Sequence, residues 1–555
     1  MLKLSRGIIF RDYFRLYDCK LGPFIRKVPE VISISGTRYS SSLSAERRSH
    51  FKVIKSDIDT NSVEFKTNYS YNESVNSKYN EALKVSLAGG SDKAKSRHLK
   101  QRKLLIDQRL HILFDSYDEI LELSPVAGLQ MEYGDVPRAG TVTAIGKVNG
   151  IYCMVIGQDA TVKAGTIYPI SLKKQLRAHD IVMRHNIPCI YLVDSGGAFL
   201  PLQAEIFPDK NTGGRSFFNE AIISSLGIPQ MAVVCGSCTA GAAYIPSMCQ
   251  EAAIIDKTGT IFLGGPPLVK AALGEIVTPE QLGGATLHCS KSGVTDYFCK
   301  DEEEGLSTAR EVALTFNMKE VDDPKMYDVP LYGPDELLGL ISKDNQIDSR
   351  QVLARLLDGS RFHEFKALYG KELITGFGHL EGRLIGIVAN NGKVGYEEGT
   401  KGAHFVQLCD QRSIPVVFIQ NTPKEDTFFE AEDIKAHAQL MSAVACSKST
   451  KITVIIGDSF GVHNYLTGGR SFEPDFLFLW PNARVAIENP SRLSNVDEKE
   501  TLERTSSALY STSRCWDDGI ILPQQTRKTL SKCLSIVEQS KGVRREDMQH
   551  AVHRL

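Results

Sequence analysis

Three small-residue segments lie within one stretch of about a hundred residues. They are Tyr191-Leu-Val-Asp-Ser-Gly-Gly-Ala198, Gly236-Ser-Cys-Thr-Ala-Gly-Ala-Ala-Tyr-Ile-Pro246 and Gly259-Thr-Ile-Phe-Leu-Gly-Gly-Pro-Pro267. Each joins a β-branched apolar run to a turn of glycine, alanine and serine. Such turns expose backbone N–H groups at a strand end or helix start. Paired N–H donors hold the oxyanion that forms when a thioester becomes an enolate. The competing role for Thr239–Ala243 is close helix–strand packing. Cys235-Gly-Ser-Cys238 is a lone CxxC with no second pair to complete a zinc site. His404 and His463 stand alone in the sequence, as packed or exposed histidines commonly do. Lys163, Lys174 and Arg177 are cations of the kind that meet phosphates, and a solvated helix face explains Lys174 and Arg177 equally well. Glu251 and Glu275 are the carboxylates near the second and third segments, and a free-standing hydratase or isomerase would need one of them.

The elements that position these groups alternate. Strand-like runs are Tyr152–Ile156, Cys189–Val193, Met231–Val234 and Thr260–Leu263; helix-like runs are Ser171–His185 and Phe217–Ser225. Apolar spacing from Leu99 to Leu123 also predicts a helix. This alternation indicates an α/β fold. A weak repeat follows: Pro188-Cys-Ile-Tyr-Leu-Val-Asp194 is echoed by Pro415-Val-Val-Phe-Ile-Gln-Asn421, and Ala232–Gly241 by Ile452–Gly461. Leu263-Gly-Gly-Pro-Pro267 is matched to Leu479-Trp-Pro-Asn-Ala483. Two similar halves meeting near residues 335–350 place a site between them.

The chain has 555 residues, 24% of them charged, and a net charge of −1, so no basic field points to nucleic acid. No apolar run nears the roughly 20 residues of a membrane span. The cysteines are scattered, as in a reducing compartment. Residues 1–48 carry ten Lys/Arg against four acids. Arg6, Arg11 and Arg15 alternate there with Ile8, Ile9, Phe10 and Phe14, the pattern of a mitochondrial transit peptide. Arg38-Tyr39 followed by three serines places the cut after Tyr39, and the expected compartment is the mitochondrial matrix. Residues 40–92 read as a polar linker with a helix starting after about residue 75.

Beyond the segments above, Asp159-Ala-Thr-Val-Lys163, Lys173-Lys-Gln-Leu-Arg-Ala178, Gly265-Pro-Pro-Leu-Val-Lys-Ala-Ala272, Asp358-Gly-Ser-Arg-Phe362, Lys401-Gly-Ala-His-Phe-Val-Gln-Leu-Cys409 and Trp516-Asp-Asp-Gly-Ile-Ile521 recur as a set. Over about residues 80–555 the chain resembles the biotin-dependent acyl-CoA carboxyltransferases. The resemblance implies two tandem crotonase-like domains: residues 93–345 binding acyl-CoA, and residues 346–555 binding carboxybiotin. It implies a branched enoyl-CoA substrate, 3-methylcrotonyl-CoA. It also implies a biotin-carrying α subunit with biotin carboxylase activity that uses the ATP, a hexameric β core, and no metal. By position, the thioester oxyanion hole falls at Ala240 and Gly241, and the biotin-side hole at Gly461 and Val462. Gly196, Gly197, Ala198, Lys163, Lys174, Arg177, His404, Asn464 and Tyr465 are the expected contacts to CoA and biotin.

The second half departs from the family. Gln420-Asn421 runs into Thr422-Pro-Lys-Glu-Asp-Thr-Phe-Phe429 where the family has Thr-Gly-Phe-Met-Val-Gly. His463 follows Gly461-Val462 where glycine is usual, and Glu488-Asn489-Pro490-Ser491 replaces Met-Gly-Gly-Glu. Proline has no N–H and cannot copy glycine there. The segment before Trp516 is shortened. In the first half, Leu202 replaces an arginine and Ala242 a glycine. Two readings follow: an active carboxyltransferase, or a paralogue that binds acyl-CoA or assembles with the carboxylase without turnover.

Overall fold

Runs of valine, isoleucine and leucine that are apolar on both faces belong in a sheet covered on both sides, and two such sheets form the protein. The computed structural model describes residues 51–540 and 551–552, apart from 322–323, 325, 343, 345–346 and 423–428. The transit-peptide reading of residues 1–39 and most of the loop after Thr422 lie outside these residues. The first sheet contains β2 (Leu121–Glu122), β3 (Thr141–Val148), β4 (Ile151–Gln158), β6 (Cys189–Ser195), β8 (Gln230–Thr239), β9 (Glu251–Ile255), β10 (Thr260–Phe262) and β11 (Tyr297–Cys299). Its order is β11-β9-β8-β6-β4-β3-β2, with β10 paired to the end of β8. A separate pair joins β5 (Thr166–Ile167) to β7 (Gly197–Ala198).

The second sheet has β1 (Lys52–Val53), β12 (Arg361–Glu364), β13 (Leu373–Leu380), β14 (Arg383–Asn390), β15 (Val416–Gln420), β16 (Lys451–Ile455) and β18 (Phe476–Leu479), in that spatial order. Beside it β17 (Asp458–Phe460) pairs with β19 (Arg484–Ala486). In both sheets a hairpin leads into parallel strands: β3–β4 into β6, and β13–β14 into β15. This is the repeat seen in the sequence. One correspondence shifts. β18 pairs with β16 as β9 pairs with β8, and β19 pairs with β17 as β10 pairs with the end of β8. The counterpart of Leu263–Pro267 is therefore Ile487–Pro490, not Leu479–Ala483.

The principal helices are α1 (Val63–Leu87), α2 (Ile106–Leu113), α3 (Pro169–His185), α4 (Gly213–Ser225), α5 (Pro266–Leu273), α6 (Tyr396–Gln411), α7 (Ala431–Cys446), α8 (Val462–Leu466) and α9 (Thr526–Ser540). Helix α1 starts well before residue 75 because Ser62 caps it, its side chain accepting from Phe65 N. Its Phe65 and Tyr79 are buried, so this stretch is more than a polar linker. The helix expected over Leu99–Leu123 is broken: a helix at Asp92–Lys100 ends as the span begins, and α2 is a separate helix within it. Before α2 Arg102 has φ +61°, and after it Leu121–Glu122 joins the sheet. One apolar core runs through both halves: Tyr191 and Ala232 share it with Val417, Ile452 and Trp480. Among the described residues no helix is long and apolar enough to cross a membrane.

Candidate active site

The three small-residue segments converge. Gly196, Gly197, Ala198, Thr239, Ala240, Gly241 and Phe262–Pro267 line one cleft of about 910 Å³. Strand pairing brings them there. β10 lies parallel to the last residues of β8, with Phe262 opposite Thr239, and a bulge between Val193 and Ser195 turns the end of β6 toward Cys238. Gly197 has φ +89°, and a Cβ there would lie 3.5 Å from the Thr239 carbonyl. Ala240 has φ +55° and opens the helical turn Ala240–Ala243. The first N–H groups of such a turn have no partner within it. Those of Ala240 and Gly241 stand in exposed residues on the cleft wall.

A buried charge cluster fixes both walls. Asp194, 3% exposed, accepts from Lys103 Nζ at 2.8 and 3.0 Å and from Arg109 at 3.2 Å. Arg109 also forms a two-pronged bond with Glu302 at 2.7 and 2.8 Å. Burial alone would raise the Asp194 carboxyl; the neighbouring Arg109 and Lys103 override it and hold it below the usual carboxylate range. Gly236 packs on this cluster so closely that a Cβ would lie 2.0 Å from Asp194 Oδ1. Sequence reading missed Lys103, Arg109 and Glu302. They are distant in the chain, and the only signal was an aspartate ending a buried strand.

The expected CoA cations separate. Lys163 is exposed on the turn before β5. Lys174 is buried, donates from Nζ to the Arg138 carbonyl at 3.1 Å, and is pushed down to about 8 by desolvation. Arg177 binds Asp518 through Nε at 2.8 Å and Nη2 at 2.9 Å, and donates to the Asp475 carbonyl at 2.7 Å. Lys174 is thus a packed group of the first half, whereas Arg177 ties the two halves together. Cys235 and Cys238 are buried with their thiols pushed up by desolvation, as packing groups are. Glu251 accepts from the Tyr297 hydroxyl, and among the described residues neither it nor Glu275 lines the cleft.

In the second half Gly461 has φ +55° and precedes α8. Its N–H donates to the Ala486 carbonyl at 3.0 Å, so it is not a free donor. The first helical N–H groups are those of Val462 and His463. The His463 ring is buried, accepts at Nε2 from Val394 N at 3.3 Å, packs 5.7 Å from Phe429, and is pushed down to about 4 by burial. A Cβ on Gly461 would meet only the Ile487 carbonyl, at 3.2 Å, so neither the His463 ring nor Pro490 lies against that face. Asn489 is buried, and its Nδ2 has no hydrogen-bond partner among the described residues. Asn464 donates to Ser459 Oγ at 2.8 Å, Tyr465 is exposed against Phe472, and His404 is exposed edge-on to Phe365.

Comparisons with known proteins agree on one family. The carboxyl transferase domain pattern matches residues 97–551. A mitochondrial methylcrotonoyl-CoA carboxylase beta chain of Dictyostelium discoideum is 44% identical, with 93% of each chain covered. A biotin-dependent 3-methylcrotonyl-coenzyme A carboxylase beta1 subunit of Mycobacterium tuberculosis is also 44% identical, covering 82% of this chain and 93% of that one. The crystal structure of the geranyl-CoA carboxylase beta subunit of P. aeruginosa superposes with a TM-score of 0.83 at 32% identity, covering 91% of this chain and 100% of that one.

Proposed function

Since this chain belongs to the carboxyl transferase domain family, we propose that it is the β-type subunit of a mitochondrial biotin-dependent acyl-CoA carboxylase that carboxylates 3-methylcrotonyl-CoA. The observation that carries this reading is the convergence of three small-residue turns on one apolar cleft, lined by Ala240 and Gly241 where they open a helical turn. Their N–H groups stabilise the thioester oxyanion, and losing one such donor typically costs about 10²–10³ in rate. Gly196–Ala198 form the opposite wall, and the cleft's apolar lining excludes water from the enolate. Biotin carried by a partner α subunit that uses the ATP would supply the carboxyl group and a ureido base when bound. The Val462 and His463 N–H groups and the open face beside Gly461 fit its ureido ring. Residues 93–345 serve the acyl-CoA side and 346–555 the biotin side, in a hexameric β core of the mitochondrial matrix.

A second reading is favoured by the Gly461 N–H, committed to the Ala486 carbonyl. On it the protein binds acyl-CoA or assembles with the carboxylase without turnover. The test is carboxyl transfer from free carboxybiotin, or from the α subunit, to 3-methylcrotonyl-CoA, with ester binding measured on the same sample. Turnover supports the enzyme. Binding without turnover supports the second reading, and absence of both overturns the acyl-CoA assignment.

A further inference from the structure

A groove of about 690 Å³ lies on the far side of the two helices that wall the cleft. Leu172, Gln175 and Ser216 face the cleft, whereas Lys173, Arg215 and Asn219 face the groove, and the two share no lining residue. The second half closes the groove with Arg470, Glu473 and Trp516. A Cβ on Gly213 would lie 3.9 Å from Leu172 Cδ1, so α3 and α4 start side by side. Lys173 and Arg215 follow those two positions and therefore belong to the same end of the groove. That end has positive charge to spare. Among the described residues neither cation has an ion-pair partner: Lys173 Nζ lies 5.9 Å from the Trp516 ring centre, and Arg215 Cζ 4.5 Å from that of Phe218. Close by, Arg177 and Arg470 share the single carboxylate of Asp518. The other end carries acceptors. Asp180 stands seven residues along α3 from Lys173, about 10 Å at the helical rise, and Glu473 is held there by Arg184 at 3.1 Å. Asn219, one turn along α4 from Arg215, is 2% exposed, and its Oδ1 has no hydrogen-bond partner among the described residues. A buried acceptor without a partner costs free energy, which an N–H donor entering the groove recovers.

We propose that this groove binds a nucleoside phosphate, its phosphate held by Lys173 and Arg215 and its base presenting N–H groups to Asn219 and Asp180. Unpaired lysine and arginine side chains bind phosphate through charge-assisted hydrogen bonds. The volume falls within the roughly 300–1,000 Å³ of small-molecule sites. A mononucleotide reaches from the cationic end to the acceptors, whereas an inorganic anion fills the first end alone and leaves Asn219 unpaired. The groove lies apart from the cleft, so the proposal does not depend on the acyl-CoA reading.

Calorimetric titration of the full-length protein with AMP tests it, with inorganic phosphate as the partial probe and with the AMP titration repeated in the presence of 3-methylcrotonyl-CoA. AMP is expected to bind at least tenfold tighter than phosphate and to bind equally well beside the ester. Lys173→Gln and Asn219→Ala are each expected to weaken AMP at least fivefold while ester binding stays unchanged. Lys173 is exposed, so its variant carries the test if the buried Asn219→Ala does not fold. AMP that binds no tighter than phosphate, or that is unaffected by Lys173→Gln, overturns the proposal. AMP displaced by the ester also overturns it, because the nucleotide would then occupy the CoA site. Failure of the ester to bind bears on the acyl-CoA reading alone.

Discussion

Asp194 is the carboxylate on which both walls of the cleft rest. It ends β6, and its charge is met by the buried Arg109 and the partly exposed Lys103. Removing one partner of a buried ion pair costs about 3–5 kcal/mol, because the other charge is left uncompensated. Lys103→Met should therefore lower the denaturant midpoint clearly and weaken CoA-ester binding, since Ser195–Ala198 lose their anchor. Gly236→Ala should do the same by steric conflict with Asp194, and equilibrium unfolding with ester titration checks both. Glu220 is the opposite case. It is fully buried, neither carboxylate oxygen has a hydrogen-bond partner among the described residues, and desolvation pushes it from 4.5 up to about 8. The raised value means that its stabilising contribution is complete below pH 4.5 and is lost as pH rises through about 8, because the unfolded chain ionises first. Glu220→Gln should flatten stability against pH across that window, as thermal melts at stepped pH would record.

At the scale of elements, the two halves use one device with different fillings. In the first, β10 lies along the end of β8, and the next turn opens with Ala240 and Gly241 facing the cleft. In the second, β19 lies along β17, and the equivalent turn opens with a glycine whose N–H is taken by Ala486. On the proposed function, the donor there is the N–H of Val462, the first residue of α8. Proline is tolerated at that helical position because its N–H has no intrahelical partner. Val462→Pro should accordingly keep the fold and CoA-ester binding while lowering carboxyl transfer about a hundredfold or more. Transfer rates from free carboxybiotin, compared with ester affinity, check it.

At the scale of the molecule, the first and last elements among the described residues, β1 with α1 and α9, bind both halves. Strand β1 joins the second sheet although α1, which follows it, reaches back: Asn72 donates to Leu338 and Ile341 carbonyls, and Tyr79 to the Ile520 carbonyl. From the other end α9 returns to the first sheet, where Gln539 bonds both Tyr152 N and O. Arg177 of the first half and Arg470 of the second share Asp518. Burial raises that carboxyl, and the two guanidinium groups override it and hold it at about 2. Residues 51–540 should unfold in one transition under denaturant, and Asp518→Asn should lower the unfolding free energy by about 3–5 kcal/mol. A biphasic melt of the intact protein would contradict this picture.

The sequence by itself determined the α/β alternation, the repeat and the small-residue turn at Ala240–Ala243, because strand periodicity and small-residue turns are local properties. Cys189–Ser195, Gln230–Thr239 and Pro169–His185 lie where their patterns predict. Only the tertiary structure decided which charges are free. Lys174 and Arg177 read as surface cations until packing placed a carbonyl and Asp518 against them, and Lys103 carried no signal until it met Asp194. Folding also decided that the Gly461 N–H belongs to Ala486 and that Ile487–Pro490 is the true counterpart of Leu263–Pro267. Spacing along a chain reports which residues share an element. Which donor is consumed, and which charge is neutralised, depends on pairings between residues far apart in sequence.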